Sequence, residues 1–183
     1  MGSRGVAPRF DAPGRRVGLG AMSVLVAVAM TAAACSSKSA STTTTKPVDT
    51  AAAPGLIAQA YGTLFNFTDK SVSSKVAVIQ DGTKIESSLS EALASPLSSS
   101  STGSKIDSTT VLGSSACTKQ HLTAPCAKVT YDLLGSGGSP VLGGQTGYAV
   151  YQNGQWLVAK ITICTLLGLF YSAEGKQGAP PGC

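Results

Sequence analysis

The hydrophobic period of this chain changes once, near residue 105, and that change limits the folds open to it. Before it, apolar residues recur at helical spacing. Leu56, Ile57, Ala60, Tyr61, Leu64 and Phe65 fall at i, i+3 and i+4 and form one stripe, and Pro54 suits a first helical turn. Val72, Val76 and Ile79 predict a second, short helix closed by Asp81-Gly82. Thr83-Lys84-Ile85-Glu86 has capping-box spacing and predicts a third helix, lined by Ile85, Leu89 and Leu93 and ending near Pro96. Residues 98–104 read as a polar surface loop.

After residue 105 the chain turns β-branched and aromatic. Residues 106–116 are predicted as a strand. In 127–134, Ala127, Val129, Tyr131 and Leu133 face one way, with Lys128, Thr130 and Asp132 facing the other. Residues 146–152 and 155–164 flank Asn153-Gly154, a strong two-residue hairpin signal. The last strand then runs into one turn of helix at Leu166–Tyr171. Helices followed by antiparallel strands give the α+β class, with N-terminal helices packed on one face of a curved antiparallel sheet. A strand face and a helix stripe must bury each other there, so Trp156, sharing a face with Val158, is expected against the first helix.

The first third of the 183 residues has a different purpose. Arg4, Arg9, Arg15 and Arg16 form a basic start, and Val17 to Ala34 is an 18-residue uncharged run. It closes on Ala32-Ala33-Ala34 directly before Cys35, the plan of a secretory signal. The junction resembles a bacterial lipobox, with Ala32 where leucine is usual. That resemblance implies that Cys35 is the site of lipid attachment (diacylation, with palmitate) and that 1–34 is a signal peptide. The competing reading is a plain membrane anchor, because 18 apolar residues lie at the lower limit for spanning a bilayer. Residues 35–53 are rich in Ser, Thr and Ala, with Val48 the only branched aliphatic, and read as a flexible linker. Residues 54–183 are left for a single α+β domain. The expected location is the cell membrane, lipid-anchored on its extracytoplasmic face, with the membrane itself as the partner of the anchor.

All four arginines precede Cys35; the rest of the chain carries ten lysines and eight acids, a net +2. Without arginine or a lysine cluster, the domain lacks the donors that read phosphate and base edges, which argues against nucleic acid as a partner. Cys117, Cys126, Cys164 and Cys183 remain once Cys35 is set aside, an even number that reads as two disulfides outside the cytoplasm. Of three connectivities, Cys117–Cys126 and Cys164–Cys183 are expected. The first would staple two strands at a hairpin mouth, and the second would pin the Pro180-Pro181-Gly182 tail. No Cys-x-x-Cys occurs and His121 is the single histidine, so no metal set or cofactor is expected. No catalytic residue is assigned either. His121 sits in a polar loop without a partner carboxylate, Asp132 faces outward, and Asp69 at a helix junction suits a capping role. Tyr131, Tyr148, Tyr151 and Trp156 are candidate pocket lining between helices and sheet, the alternative being ordinary core.

Two segments carry a family resemblance: LIAQAYGTLFNFTDKSVSSKVAVIQDG and AVYQNGQWLVAKITICTLLGL. A short amphipathic helix, a Ser/Lys-containing second helix ending at Gly, and a Gly-x-Trp strand with a two-leucine turn together resemble the mycobacterial low-molecular-weight antigen family, over about residues 54–172. The resemblance implies a cystatin-like cone, related to nuclear-transport-factor-two-like domains, in an exported antigen, and it brings no catalytic residues. Two functional readings follow. One is a surface-displayed, non-catalytic binding module for a protein or small-molecule partner. The other is a small-molecule carrier or enzyme using the interior of the cone, which requires a cavity of several hundred Å³ with an ionisable group inside it.

Overall fold

The computed structural model describes residues 48–183. The expected signal peptide, Cys35 and most of the linker lie outside the described residues. Contacts to the domain are already present ahead of residue 54. Val48 packs on the core, and the Asp49 carboxylate accepts the N–H groups of Ala51 and Ala52 at 3.0 and 3.2 Å. Helix α1 (Ala53–Phe65) follows, with Ala53 already fully buried. Its buried stripe is Ile57, Ala60, Tyr61, Leu64 and Phe65. Leu56, expected on that stripe, is 43% exposed, because it sits one residue, about 100° of helix rotation, from Ile57.

Helix α2 (Val72–Val76) is short and is held by side chains. The Ser71 hydroxyl accepts the Ser74 N–H at 3.3 Å, and the Asp69 carboxylate accepts the Ser71 N–H at 2.8 Å. The Ser71 N–H and the Ser74 hydroxyl hold the Asp69 carboxyl below the ordinary range; the cap itself is Ser71, so Asp69 braces the capping residue rather than capping the helix as expected. Lys75 then ties α2 to α1. Fully buried, its ammonium donates to the carbonyls of Thr63 and Asn66 at 3.1 and 2.7 Å, at the carbonyl-rich end of α1. Burial pushes its pKa down.

The capping box expected at Thr83 does not form. Gly82–Ile85 is a 3₁₀ turn, and α3 (Glu86–Ala94) starts after it with Ile85 at the N-cap and no side-chain cap. The chain turns tightly here: a Cβ on Gly82 would lie 2.2 Å from the Val76 carbonyl oxygen. The expected polar loop over 98–104 is also revised. Pro96–Ser100 forms a second 3₁₀ turn, and the buried Ser98 hydroxyl donates to the carbonyls of Leu93 and Ser95, satisfying acceptors at the end of α3.

Four antiparallel strands form one open sheet in the order β1-β2-β3-β4: β1 (Gly103–Leu112), β2 (Cys126–Leu134), β3 (Pro140–Gln152) and β4 (Gln155–Val158). In β2 the alternation holds as read: Ala127, Val129, Tyr131 and Leu133 are all buried. Asn153 and Gly154 take φ of 52° and 84°, the two left-handed positions of a type I′ turn, between the paired Gln152 and Gln155. Register shifts interrupt β1 between Ile106 and Ser108, and β2 between Tyr131 and Leu134. Such bulges bend strands and blunt open edges.

Two predicted strands are too long. β1 stops at Leu112, and residues 114–119 form α4 (Ser114–Lys119), drawn back onto the sheet by the Cys117–Cys126 bond. β4 stops at Val158, and the chain becomes α5 (Lys160–Ala173) rather than strand to residue 164. At that point Ala159 N–H donates to the Tyr148 carbonyl at 2.9 Å. The Thr162 hydroxyl accepts the Tyr148 N–H at 2.8 Å and donates to its carbonyl at 3.2 Å. A side chain thus takes over the edge hydrogen bonds of β3 where the ladder ends.

The main core lies between α1, α3, α5 and one sheet face. Tyr131 is its centre, edge-on to Tyr61 at 5.1 Å and stacked on Phe65 at 5.4 Å. A Cβ on Gly147 would come within 2.5 Å of the Tyr61 hydroxyl; without one, that hydroxyl reaches the Tyr148 carbonyl at 3.1 Å. A smaller cluster on the other face joins Cys117, Leu122, Cys126, Val150, Leu157 and Ala159.

Candidate functional site

The interior that an enzyme or carrier would need is filled. The enclosed void between helices and sheet measures about 10 Å³ and is walled by apolar side chains such as Phe65, Leu89, Leu93, Ile163 and Leu167. That volume is about the size of one water site, and a water needs two to four polar partners. Among the described residues, the buried ionisable groups here are the phenols of Tyr61 and Tyr131 and the Lys75 ammonium, which lies over the Phe67 ring and is engaged by the carbonyls of Thr63 and Asn66. Burial pushes Tyr131 up to about 12 and raises Tyr61 as well, so both stay neutral near pH 7.

The four sheet aromatics do not share a cavity. Tyr131 is core under α1. Trp156 is 4% exposed on the same face, with the half-buried Tyr151 edge-on at 5.5 Å. Tyr148 faces the opposite side, where it packs on the smaller cluster and its hydroxyl donates to Gln120 Oε1 at 3.0 Å. Trp156 also borders a shallow groove of about 330 Å³ between α1 and the β3–β4 turn, beside Leu56, Gln59 and Thr63. Its indole N–H is buried with no acceptor among the described residues.

His121 lies in a polar groove of about 300 Å³ with Gln80, Asp81, Gln120 and Lys160, over the Cys164–Cys183 bond. Among the described residues no hydrogen bond links His121 to a carboxylate, and no group of three His, Cys, Asp or Glu could hold a metal ion. Asp132 has a structural role, since its carboxylate accepts the Gly144 N–H at 2.7 Å and closes the bulged stretch of β3.

The disulfides join Cys117 to Cys126 and Cys164 to Cys183, with Cα separations of 5.9 and 5.5 Å. The first ties helix α4 to the start of β2 rather than two strands at a hairpin mouth, because Cys117 is helical. The second holds the C-terminal tail to α5, and the tail docks on α3 where the Ser88 hydroxyl donates to the Pro181 carbonyl at 2.8 Å. Each bond should contribute about 2–4 kcal/mol. Thiol labelling of the denatured, unreduced protein is expected to find none of these four cysteines. A peptide linking Cys117 to Cys164 would overturn the pairing.

The site that residue patterns did not reveal is an apolar groove of about 280 Å³ between α5 and the β2–β3 hairpin. Leu166, Leu169 and Phe170 form one wall, Leu133, Val141 and Leu142 the other, with Ser100 and Ser101 at the side. Val141 and Leu169 are 54% and 56% exposed, two of the four large hydrophobic residues that stand out among the described residues. Among the described residues no ionisable side chain lines the groove. A signal for it was available. Ile163, Leu166, Leu167, Phe170 and Tyr171 fall at i, i+3, i+4, i+7 and i+8, a helical stripe from which Leu169 is excluded and therefore left outside.

No curated protein and no solved structure matches the chain. Residues 49–174 match the model of the family described as low molecular weight antigen MTB12, C-terminal domain. That span begins at the Asp49 turn leading into α1 and ends at Glu174, one residue past α5, and so takes in the sheet, the five α-helices of the described residues and the groove, and on this ground the chain belongs to that antigen family.

Proposed function

We propose that this protein is a membrane-anchored extracytoplasmic lipoprotein whose folded domain is a non-catalytic binding module. The observation that carries the binding reading is the placement of apolar surface. The interior keeps about 10 Å³, while about 280 Å³ of uncharged groove stands open outside. Ligand sites are concave and mostly apolar, and the groove fits that description at a volume just under the usual size range of about 300–1,000 Å³. A carrier or enzyme working from the interior would need an ionisable group inside a cavity, and the filled core weighs against it.

The anchoring half rests on the small-residue run before Cys35 and the Ser-rich stretch after it. In a bacterial host that processes lipoproteins, the full chain is expected in the membrane fraction, with residues 1–34 removed and a diacylglyceryl mass on Cys35. Cys35→Ser should accumulate as unprocessed precursor. Wild-type protein that retains residues 1–34 in intact-mass measurement would overturn the anchor.

A further inference from the structure

We infer that the groove between α5 and the β2–β3 hairpin holds the acyl chain of a membrane lipid, with Ser101 donating its hydroxyl hydrogen to the lipid's ester carbonyl. The inference rests on the membrane-anchored reading above and adds a ligand class to it. Three observations carry it.

The first is charge. Among the described residues the lining has hydroxyls as its only polar side-chain groups, Ser100 and Ser101, both on one side, and no ionisable group. An alkyl chain brings no polar group that must be paired there, whereas a peptide would bring backbone N–H and C=O groups that these side chains cannot all satisfy. The second is size. The groove, at about 280 Å³, is nearly twice the roughly 150 Å³ apolar cavity that admits a benzene ring. It therefore has room for a stretch of one alkyl chain. The third is Ser101 itself. It is 6% exposed, and its hydroxyl has no hydrogen-bond partner among the described residues. A buried donor without an acceptor costs stability, and rotation of the Ser101 side chain toward the groove would let an ester carbonyl there satisfy it. Reach permits the encounter: 17 residues lie between Cys35 and Ala53 at the start of α1, a maximum contour length of roughly 60 Å.

The test uses the full chain purified from bacterial membranes and reconstituted in phosphatidylcholine vesicles that contain phosphatidylcholine with a photoactivatable acyl chain. After irradiation, mass spectrometry should find label on peptides carrying Val141 and Leu169. Leu169→Glu, an exposed position, should lower that label by about tenfold or more, because a carboxylate beside an alkyl chain is poorly solvated. Ser101→Ala should lower it too, while raising the melting temperature by removing an unpaired buried hydroxyl. Label confined to residues before Val48, or unchanged by Leu169→Glu, overturns the inference. So does a protein–protein cross-link through α5, which would assign the groove to a second copy or a peptide. Flotation of the vesicles reads the anchor separately. Protein that fails to float yet is labelled on α5 sinks the anchored reading and keeps the groove; protein that floats unlabelled does the reverse.

Discussion

Trp156→Ala should unfold the domain or lower its melting temperature sharply, while Trp156→Phe should be far better tolerated. Trp156 is 4% exposed, belongs to the main core and meets Tyr151 edge-on. Removing an aromatic side chain from a core costs about 3–5 kcal/mol, a large part of the roughly 5–15 kcal/mol that holds a domain together. The phenylalanine variant separates ring from N–H. The indole nitrogen is buried without an acceptor among the described residues, so the wild type carries a penalty of about 1–3 kcal/mol that phenylalanine lacks. That gain offsets part of the packing lost with the smaller ring. Chemical denaturation of both variants decides the matter. A Trp156→Ala protein as stable as the wild type would mean that the ring is surface, and equal losses in both variants would mean that the N–H is satisfied.

The placement of Trp156 was legible in the sequence because three local signals agreed: the Asn153-Gly154 turn, the strand alternation after it, and the α1 stripe. The α+β class and the buried face of β2 were legible for the same reason. What failed was the reading of ends. β1 and β4 were extended too far because Val, Ile and Thr in 106–116 and 155–164 suit strands locally. The chain leaves β1 at Leu112, where tertiary links take over: Cys117 is bonded to Cys126. It leaves β4 at Val158, where the Thr162 hydroxyl occupies the edge of Tyr148. The Cys117–Cys126 pairing was itself legible, but not that it would turn residues 114–119 into a helix, and the Thr162–Tyr148 contact reaches across 14 residues. The groove was missed as a consequence, since a strand through residue 164 hides the helical period that runs from Ile163 to Tyr171. Lys75 gave no signal at all. In a Ser/Lys-containing stretch a lysine reads as solvated, and its burial follows from the carbonyls of Thr63 and Asn66 that end α1 above it.

Phe65→Ala tests whether the natural interior is filled. Phe65 is fully buried, stacked on Tyr131 at 5.4 Å and edge-on to Phe67 at 6.0 Å. It also walls the void of about 10 Å³. Its removal should cost about 3–5 kcal/mol, the transfer loss plus the cavity left where Tyr131 and Leu89 cannot collapse into it. If the variant still folds, that cavity is contiguous with the existing void and lined by apolar groups, the condition under which engineered cavities stay dry and take up benzene. Benzene should then raise the melting temperature of Phe65→Ala more than that of the wild type, by linkage to a site that only the variant has. Phe65→Leu, which keeps most of the volume, should show a smaller loss and little benzene response. A wild type that gains as much from benzene as Phe65→Ala would mean that the natural interior is already open, and the carrier reading would displace the binding module with its solid core.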